Sequence, residues 1–225
     1  MSKLNLIKKK FKDKNILLEA LTHRSWKNEN KNKRSHNERL EFLGDAVLEL
    51  IVSDFLFHKL PTKPEGILTI LRGKIVNTTN LAKVARALSL GNELYIGKGE
   101  DKEGGRENSS LLANAVEALI GAIYLDKGYD EAEKFIENHV LHDFEDKLSQ
   151  PLKDDKSSLQ EAVQSKNLSA PKYKVLSEEG PDHNKVYVVG VYIENKKYGE
   201  GKGQSKSKAE QTAAKAGLVT FNSKY

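Results

Sequence analysis

The chain has 225 residues, a net charge of +5 and no cysteine. The length suits one large domain or two smaller ones, and the lack of cysteine excludes disulfides, zinc–thiolate sites and cysteine nucleophiles. We see no run of about 18 apolar residues and no apolar signal-peptide core at the start. We therefore expect a cytoplasmic protein with no membrane span.

The positive charge is concentrated toward the C-terminal end. Residues 151–225 contain 13 Lys and Arg against 9 Asp and Glu, a net charge of +4. The first 150 residues contain 24 basic and 23 acidic side chains, a net charge of +1. This balance does not identify nucleic acid as a partner by itself, but it makes the C-terminal part the better candidate to contact a polyanion.

Residues 1–146 show the 3.6-residue periodicity of helices and almost no strand signal. Helices are predicted over five stretches: 16–26, 37–50, 67–88, 109–128 and 129–149. Prolines and glycines lie between most of these stretches, where breaks are expected. The first part of the chain is therefore predicted to be an all-α domain.

The pattern changes after QPLKDDK at 150–156. A helical stretch, SSLQEAVQSKNL, precedes YKVLSEE and KVYVVGVYIENKKYGEG, in which the polar letters ENKK indicate a turn. A last helix, SKSKAEQTAAKAGLVTF, completes an α-β-β-β-α order. We predict a multi-domain chain with an all-α domain over 1–148, a linker over 149–155 and an α+β domain over 156–225.

Residues 37–50, NERLEFLGDAVLEL, predict an amphipathic helix with an unusual polar face. At 100° per residue the acids fall on one stripe: Glu38, Glu41, Asp45 and Glu49. The apolar residues gather on the opposite side: Leu40, Leu43, Ala46, Val47, Leu50 and Ile51. Phe42 lies on the acidic side. A solvated face would explain the acids but not the ring, so we expect a cation at the carboxylates and a cover over Phe42.

A second acidic position lies in LLANAVEALIGAIYLD, where Asn114 and Glu117 are three residues apart on an almost wholly apolar helix. A glutamate is costly to bury unpaired in such surroundings. It either pairs with a nearby Arg or Lys, or shares a divalent cation with the first stripe. Two helices packed side by side would bring Glu41 and Asp45 to Asn114 and Glu117, an oxygen ligand set that suits Mg²⁺ or Mn²⁺.

NERLEFLGDAVL resembles the signature of the ribonuclease III family. Three further stretches agree with that family in order: LTHRSW, PEGILTILRGKIV and GKGEDKEGGRENSSLLANAVEALIGAIYLD. The last 70 residues resemble the double-stranded-RNA-binding domain of its bacterial members. The resemblance covers nearly the whole chain. It implies a homodimeric, Mg²⁺-dependent endoribonuclease, in which Mn²⁺ is able to substitute and no small-molecule cofactor is needed.

The resemblance also implies roles for individual residues. Four positions match the family's metal ligands: Glu41, Asp45, Asn114 and Glu117. Asp45 and Glu117 match the pair that is called catalytic. Glu38 and Glu65 match further acids that line the cutting valley, and Phe42 matches an aromatic residue that plugs a socket on the other subunit of the dimer.

The chain departs from the family at position 114, where most members have Asp and this chain has Asn. The amide oxygen of Asn114 can ligate Mg²⁺ but brings no charge. We therefore expect a somewhat lower metal affinity. Because the other three ligands are carboxylates, we expect the activity to be retained.

Double-stranded RNA is recognised by shape across successive minor grooves, with phosphate contacts between them. Three groups of residues suit this mode of recognition: Gln160, Glu161 and Gln164 on a helix, His183 in the loop GPDH, and Lys202, Lys206 and Lys208 where the last helix begins. The family has two adjacent lysines in that helix. Here the second matching position is Ser207, and Lys208 follows it.

The sequence predicts an enzyme that hydrolyses phosphodiester bonds of double-stranded RNA to 5′-phosphate products with short 3′ overhangs. By resemblance, its substrates are precursor rRNA and structured mRNA and tRNA precursors. Two alternatives remain. A dimeric duplex-RNA binder without chemistry would follow if Asn114 marks a degenerate site. A structural helical protein would show neither saturable duplex binding nor a response to Mg²⁺.

Overall fold

The structure is a computed structural model that describes residues 3–30, 34–149, 154–181 and 185–225. The chain forms two compact units, Met1–Gln150 and Pro151–Tyr225. The first unit is helical and the second has the order α-β-β-β-α. The predicted fold class is therefore confirmed.

The described part of the first unit contains ten α-helices and two short 3-10 turns. The helices are α1 (Lys3–Lys10), α2 (Lys14–Ala20), α3 (Arg24–Glu29), α4 (Glu38–Lys59), α5 (Glu65–Val76), α6 (Thr78–Ala87), α7 (Lys98–Lys102), α8 (Ser109–Lys127), α9 (Tyr129–His139) and α10 (Phe144–Ser149). The 3-10 turns are Leu90–Glu93 and Gly105–Glu107.

Three of the predicted helices are interrupted. The stretch 16–26 divides between α2 and α3 because Thr22 leaves the helix to form a bridge with Tyr95. The stretch 67–88 divides at Asn77, which has extended backbone and accepts a hydrogen bond from the Asn80 N–H at 2.9 Å, capping α6. The stretch 129–149 divides between α9 and α10.

Helices α4 and α8 cross at the centre of the first unit, backbone against backbone. A Cβ atom placed on Gly44 of α4 would lie 1.8 Å from the carbonyl oxygen of Glu117, and one on Gly121 of α8 would lie 2.3 Å from the carbonyl oxygen of Leu40. No larger residue fits at either position without moving a helix. Side chains next to the crossing are almost fully buried: Leu48, Ile51, Val52, Val116, Leu119 and Ile120.

By length and composition α8 is apolar enough to cross a membrane, although the sequence analysis expected no such run. Ten of its residues are buried against the rest of the unit, which is the environment of a core helix. Asn114 and Glu117 lie on the same helix and are only partly buried. These two polar positions mark the side of α8 that faces the candidate site.

The apolar side of α4 is only partly buried. Leu40, Val47 and Ile51 lie in the core, as predicted, but Ala46 is exposed and Leu50 is 58% exposed. The prediction that Ala46 and Leu50 belong to the buried side is therefore wrong. The reason is that contact with α8 covers a stripe centred on Gly44, and Ala46 and Leu50 lie about 160° and about 120° around the helix from that stripe, where they reach solvent.

The second unit contains α11 (Asp155–Gln164), β1 (Lys172–Glu179), β2 (Val186–Ile193), β3 (Lys196–Gly203) and α12 (Lys206–Asn222). The strands form one antiparallel sheet in the order β1-β2-β3. Between β2 and β3 a tight turn uses Glu194 and Asn195, both with positive φ (47° and 64°). The core lies between the sheet and α11 and α12 and includes Leu159, Val163, Val189, Val191, Ala213 and Phe221.

Candidate active site and RNA-binding surface

The crossing of α4 and α8 brings the four predicted metal ligands together. Glu41 and Asp45 lie on either side of Gly44 in α4, and Asn114 and Glu117 lie one turn apart in α8. Because Gly44 touches the backbone of Glu117, the two pairs meet at the crossing. The side chain of Asn114 forms a hydrogen bond with the carboxyl group of Glu41.

The electrostatics of this acidic set are those of carboxyl groups without cationic partners. Burial, followed by the charges of Asp45 and Glu41, raises the pKa of Glu117 to about 7. Burial, followed by the charge of Glu38, also raises the pKa of Glu41, which the hydrogen bond with Asn114 partly offsets. Within the described residues no lysine or arginine contributes to either shift, so the ion-pair alternative for Glu117 is not supported.

The donor set fits a hard divalent cation. The four groups offer carboxylate and amide oxygens, which are the ligands that Mg²⁺ and Mn²⁺ prefer. A cation would also relieve the repulsion that raises the pKa values of Glu41 and Glu117. Asp45 is exposed and the other three are partly buried. Across the described ranges no three His, Asp or Glu side chains lie close enough together to hold a metal ion as they stand, so the side chains of this set would have to move closer to bind one.

The two auxiliary acids have different positions. Glu38 is the first residue of α4 and acts on Glu41 through its charge. Glu65 is the first residue of α5, is exposed and accepts a hydrogen bond from the hydroxyl of Thr69 at 2.9 Å. It does not contribute to the pKa shifts of Glu41 or Glu117. Within one chain, Glu38 therefore adjoins the acidic set and Glu65 stands apart from it.

Phe42 is 81% exposed on α4, between the acids on one side and further apolar residues on the other. Three exposed apolar residues continue its line along the helix: Ala46, Leu50 and Phe57. Leu50 and Phe57 are 58% and 65% exposed. We refer to these four residues as the α4 apolar stripe. A stripe of this kind on an otherwise well-buried helix is typical of a surface that another chain covers.

Sequence reasoning missed three residues that build the site. Gly44 and Gly121 permit the helix crossing, and Arg24 forms an ion pair with Glu38 at 2.9 Å. The sequence signals for them were weak. Gly44 stands inside the signature NERLEFLGDAVL and Arg24 inside LTHRSW, but neither pattern indicates which residue on another helix it will touch.

In the second unit, the predicted RNA-binding residues of the described ranges are all exposed: Gln160, Glu161 and Gln164 on α11, Lys202 on β3, and Lys206 and Lys208 on α12. Ser205 caps α12 by accepting a hydrogen bond from the Lys208 N–H at 3.2 Å. Lys206 pairs with Glu178 at 3.2 Å, so its ammonium group is partly neutralised. His183 lies outside the described residues.

Comparison with known proteins gives consistent results for both units. Residues 13–144 match a family model described as Ribonuclease-III-like, and residues 156–219 match the double-stranded RNA binding motif. Ribonuclease 3 of Natranaerobius thermophilus is 49% identical over 206 residues, covering 90% of this chain and 88% of the relative. Ribonuclease 3 of Pelotomaculum thermopropionicum is 46% identical over 223 residues, covering 96% and 92%.

A solved structure resembles the first unit. The nuclease domain of ribonuclease III from Campylobacter jejuni has 43% sequence identity and a TM-score of 0.58, covering 63% of this chain and 96% of that domain. The Campylobacter domain is described as structurally flexible in the region involved in its dimer formation.

Proposed function

This chain belongs to the ribonuclease III family, and on that premise we propose that it hydrolyses double-stranded RNA with Mg²⁺, leaving 5′-phosphate ends and short 3′ overhangs. It is an endoribonuclease of the ribonuclease III type, and its second unit carries the double-stranded RNA binding motif. The observation that carries the proposal is the crossing at Gly44, which places Glu41 and Asp45 of α4 against Asn114 and Glu117 of α8.

Mg²⁺, or Mn²⁺ in its place, would be held by Glu41, Asp45, Asn114 and Glu117. A bound divalent cation supplies Lewis-acid polarisation of the phosphate and lowers the pKa of a bound water, the nucleophile in this chemistry. The support is the donor chemistry of the set and the mutual repulsion of its carboxyl groups.

The residues of the set have distinct roles in this proposal. Asp45 is exposed, so it would reach a bound cation from the solvent side, where the RNA phosphate arrives. Glu117 is partly buried, so its attraction to positive charge is stronger than it would be in water. Asn114 orients Glu41 through the hydrogen bond between their side chains. The crossing keeps the two pairs on adjacent helices before the substrate arrives, which limits the movement needed to bring them around a cation.

We propose a homodimer in which the α4 apolar stripe of each chain is covered by its partner. Leaving a phenylalanine side chain in water rather than burying it costs about 1.5–3 kcal/mol, and the ring of Phe42 is 81% exposed. With one acidic set per chain, each subunit would cut one strand, and the offset of the two sets would produce the overhang. Sedimentation as a monomer at micromolar concentration would overturn this part of the proposal.

The second unit supplies most of the affinity for the duplex. Its exposed polar side chains on α11 suit contacts with 2′-hydroxyl groups, and Lys202 and Lys208 suit phosphate oxygens. Sequence preference should be weak because A-form geometry hides the base edges in the deep groove. By family resemblance, the substrates are precursor rRNA and structured mRNA and tRNA precursors in the cytoplasm.

The proposal is tested by incubating the full chain with a long RNA duplex, its single strand and the matching DNA duplex, each with Mg²⁺, with Mn²⁺ and with a chelator. We expect cutting of the RNA duplex alone and only with metal. Cutting that persists in chelator would contradict the metal role. Retention of the duplex without cutting in either metal would favour the binding-protein alternative.

A further inference from the structure

An arginine that the sequence analysis did not single out stands beside the acidic set. The Nη1 atom of Arg24 lies 2.9 Å from Oε1 of Glu38, and Nδ1 of His36 lies 3.7 Å from Oε2 of the same carboxylate. Of the two, only Arg24 is in close ion-pair contact with the carboxylate; Nδ1 of His36 is too far away for a hydrogen bond and has no hydrogen-bond partner within the described ranges. The contact with Glu38 therefore places the guanidinium group of Arg24 at the start of α4.

Backbone contacts hold this ion pair in place. Arg24 is the first residue of α3, which His23 caps by accepting a hydrogen bond from the Ser25 N–H at 3.2 Å. The Asn37 N–H, just before Glu38, donates to the carbonyl of Thr22 at 2.9 Å. Because the starts of α3 and α4 are joined in this way, the two side chains meet without a large loss of conformational freedom.

The Arg24–Glu38 pair contributes little to stability. The side chains are 63% and 41% exposed, and ion pairs between exposed side chains stabilise proteins only weakly. Arg24 nevertheless stands next to a set of acids that repels an RNA backbone. Glu38 precedes Glu41 by three residues, about 5 Å along the helix. The guanidinium group that contacts Glu38 therefore lies about one helical turn from the position of Glu41.

Resting on the proposed function, we propose that Arg24 binds a backbone phosphate of the duplex adjacent to the scissile one, and that Glu38 is the positioning residue that holds it there. A guanidinium group has five N–H donors in a planar fork that matches phosphate oxygens, and the contact with Glu38 uses only the Nη1 end. Arg24 thereby offers positive charge at the edge of an otherwise acidic site.

The test compares Arg24→Gln, Arg24→Lys and the matched control Lys134→Gln. Lys134 forms an equivalent exposed pair with Glu131, at 2.9 Å and with 62% of its side chain exposed, on α9. For Arg24→Gln we expect the KM for duplex RNA to rise about 5- to 10-fold with kcat changed less than about 2-fold, and the slope of log affinity against log salt to fall by about 1 for each phosphate that the variant no longer binds. Arg24→Lys keeps the positive charge, so its KM should lie between the values of Arg24→Gln and wild type. Lys134→Gln should change neither quantity.

A double-mutant cycle separates the role assigned to Glu38 from its expected role as an auxiliary acid. Glu38→Gln should raise KM about 2- to 4-fold, and should add nothing when Arg24 is already Gln. An additive effect on KM would show that Glu38 acts on the RNA independently of Arg24.

Duplex binding measured in chelator keeps this inference separate from the proposed function. If the wild-type chain bound the duplex but did not cut it, the nuclease proposal would fail, whereas the loss of affinity and of salt slope in Arg24→Gln would still be observed. The phosphate contact is overturned if Arg24→Gln leaves KM, affinity and salt slope at wild-type values. It is also overturned if the variant only lowers the Tm, because that is the signature of a structural pair.

Discussion

In both units a glycine allows two backbones to pack in direct contact, but the side chains around the two contacts differ. At Gly44 in the first unit and Gly201 in the second, a glycine lets two backbones touch: a Cβ atom would lie 1.8 Å from the Glu117 oxygen in one and 2.2 Å from the Ala213 nitrogen in the other. Beside Gly44 the flanking side chains are acids that meet across the crossing. Beside Gly201, the neighbouring Lys202 is turned to solvent.

This difference shows what each contact is for. At α4 and α8 the close approach partly buries Glu117 and brings it near Asp45 and Glu41, and burial first, then these two charges, raise its pKa. At β3 and α12 the close approach builds a small core of alanines and valines and leaves the lysines exposed. In the proposed function, the first contact positions the acids for the reaction, and the second supports an exposed surface that binds a polyanion.

The largest expected effect is that of Gly44→Ala. The added methyl group would overlap a backbone oxygen, so α4 and α8 must separate, at a cost of about 3 kcal/mol or more. We expect the single-turnover cutting rate to fall on the order of 100-fold, because the two halves of the acidic set part. The control is Gly73→Ala, where a Cβ atom would meet no other atom within 4 Å. This variant should be more stable than wild type by about 0.5–1 kcal/mol, because alanine favours a helix more than glycine does. A wild-type rate and Tm in Gly44→Ala would contradict the crossing.

Gly201→Ala should disrupt the packing of β3 against α12 in the second unit. Its methyl group would overlap the backbone of α12, so the second unit should lose stability and duplex retention should weaken on the order of 10-fold. The single-turnover rate at saturating RNA should remain within about 3-fold of wild type, because the acidic set is untouched. If that rate fell as far as the affinity, the two units would not divide binding and cutting as proposed.

Asn114→Asp sharpens the comparison by adding charge to the acidic set alone. A further carboxylate strengthens the attraction to a divalent cation, so the Mg²⁺ concentration for half-maximal rate should fall on the order of 3- to 10-fold. Duplex affinity in chelator should not change. An unaltered or higher Mg²⁺ requirement would mean that position 114 is not a ligand in this chain.

The smallest effect concerns the stability of the metal-free protein. Glu117 has its pKa raised from 4.5 to about 7, so the folded state loses stability as pH rises through that range, when the buried carboxyl group must ionise. In Glu117→Gln the side chain cannot ionise, so this loss of stability at high pH does not occur. In chelator at pH 8 the variant should be more stable than wild type by about 1–2 kcal/mol, allowing for partial exposure, and the difference should vanish near pH 4.5. Thermal unfolding of both proteins at the two pH values measures this difference in stability. An equal difference at both pH values would argue against a raised pKa of Glu117.

The sequence was a good guide to local structure. Helical periodicity and the strand–turn–strand pattern predicted the fold class, and the i,i+3 spacing of Asn114 and Glu117 placed them on one face. It was a poor guide wherever the local structure depends on a residue that is far away in the sequence. Thr22 breaks a predicted helix because of Tyr95, more than 70 residues later, and no local pattern contains that information.

The break between α5 and α6 at Asn77 could have been predicted from the sequence. An asparagine that follows an apolar run and precedes a new helical stretch is a capping signal, and its side chain caps α6 in the structure. The Gly44–Glu117 contact and the Arg24–Glu38 pair were not within reach. Periodicity identifies which face of a helix is buried, but it does not say which residues of two helices meet.

The central claim is that α4 and α8 cut the RNA while the second unit holds it. The most direct test measures the cut fraction and the bound fraction of one RNA duplex in the same samples of wild-type protein and Glu117→Gln with Mg²⁺. We predict that cutting falls on the order of 1,000-fold or more while binding stays within about 2-fold. Equal loss of cutting and binding, or cutting at the wild-type rate, would contradict the account.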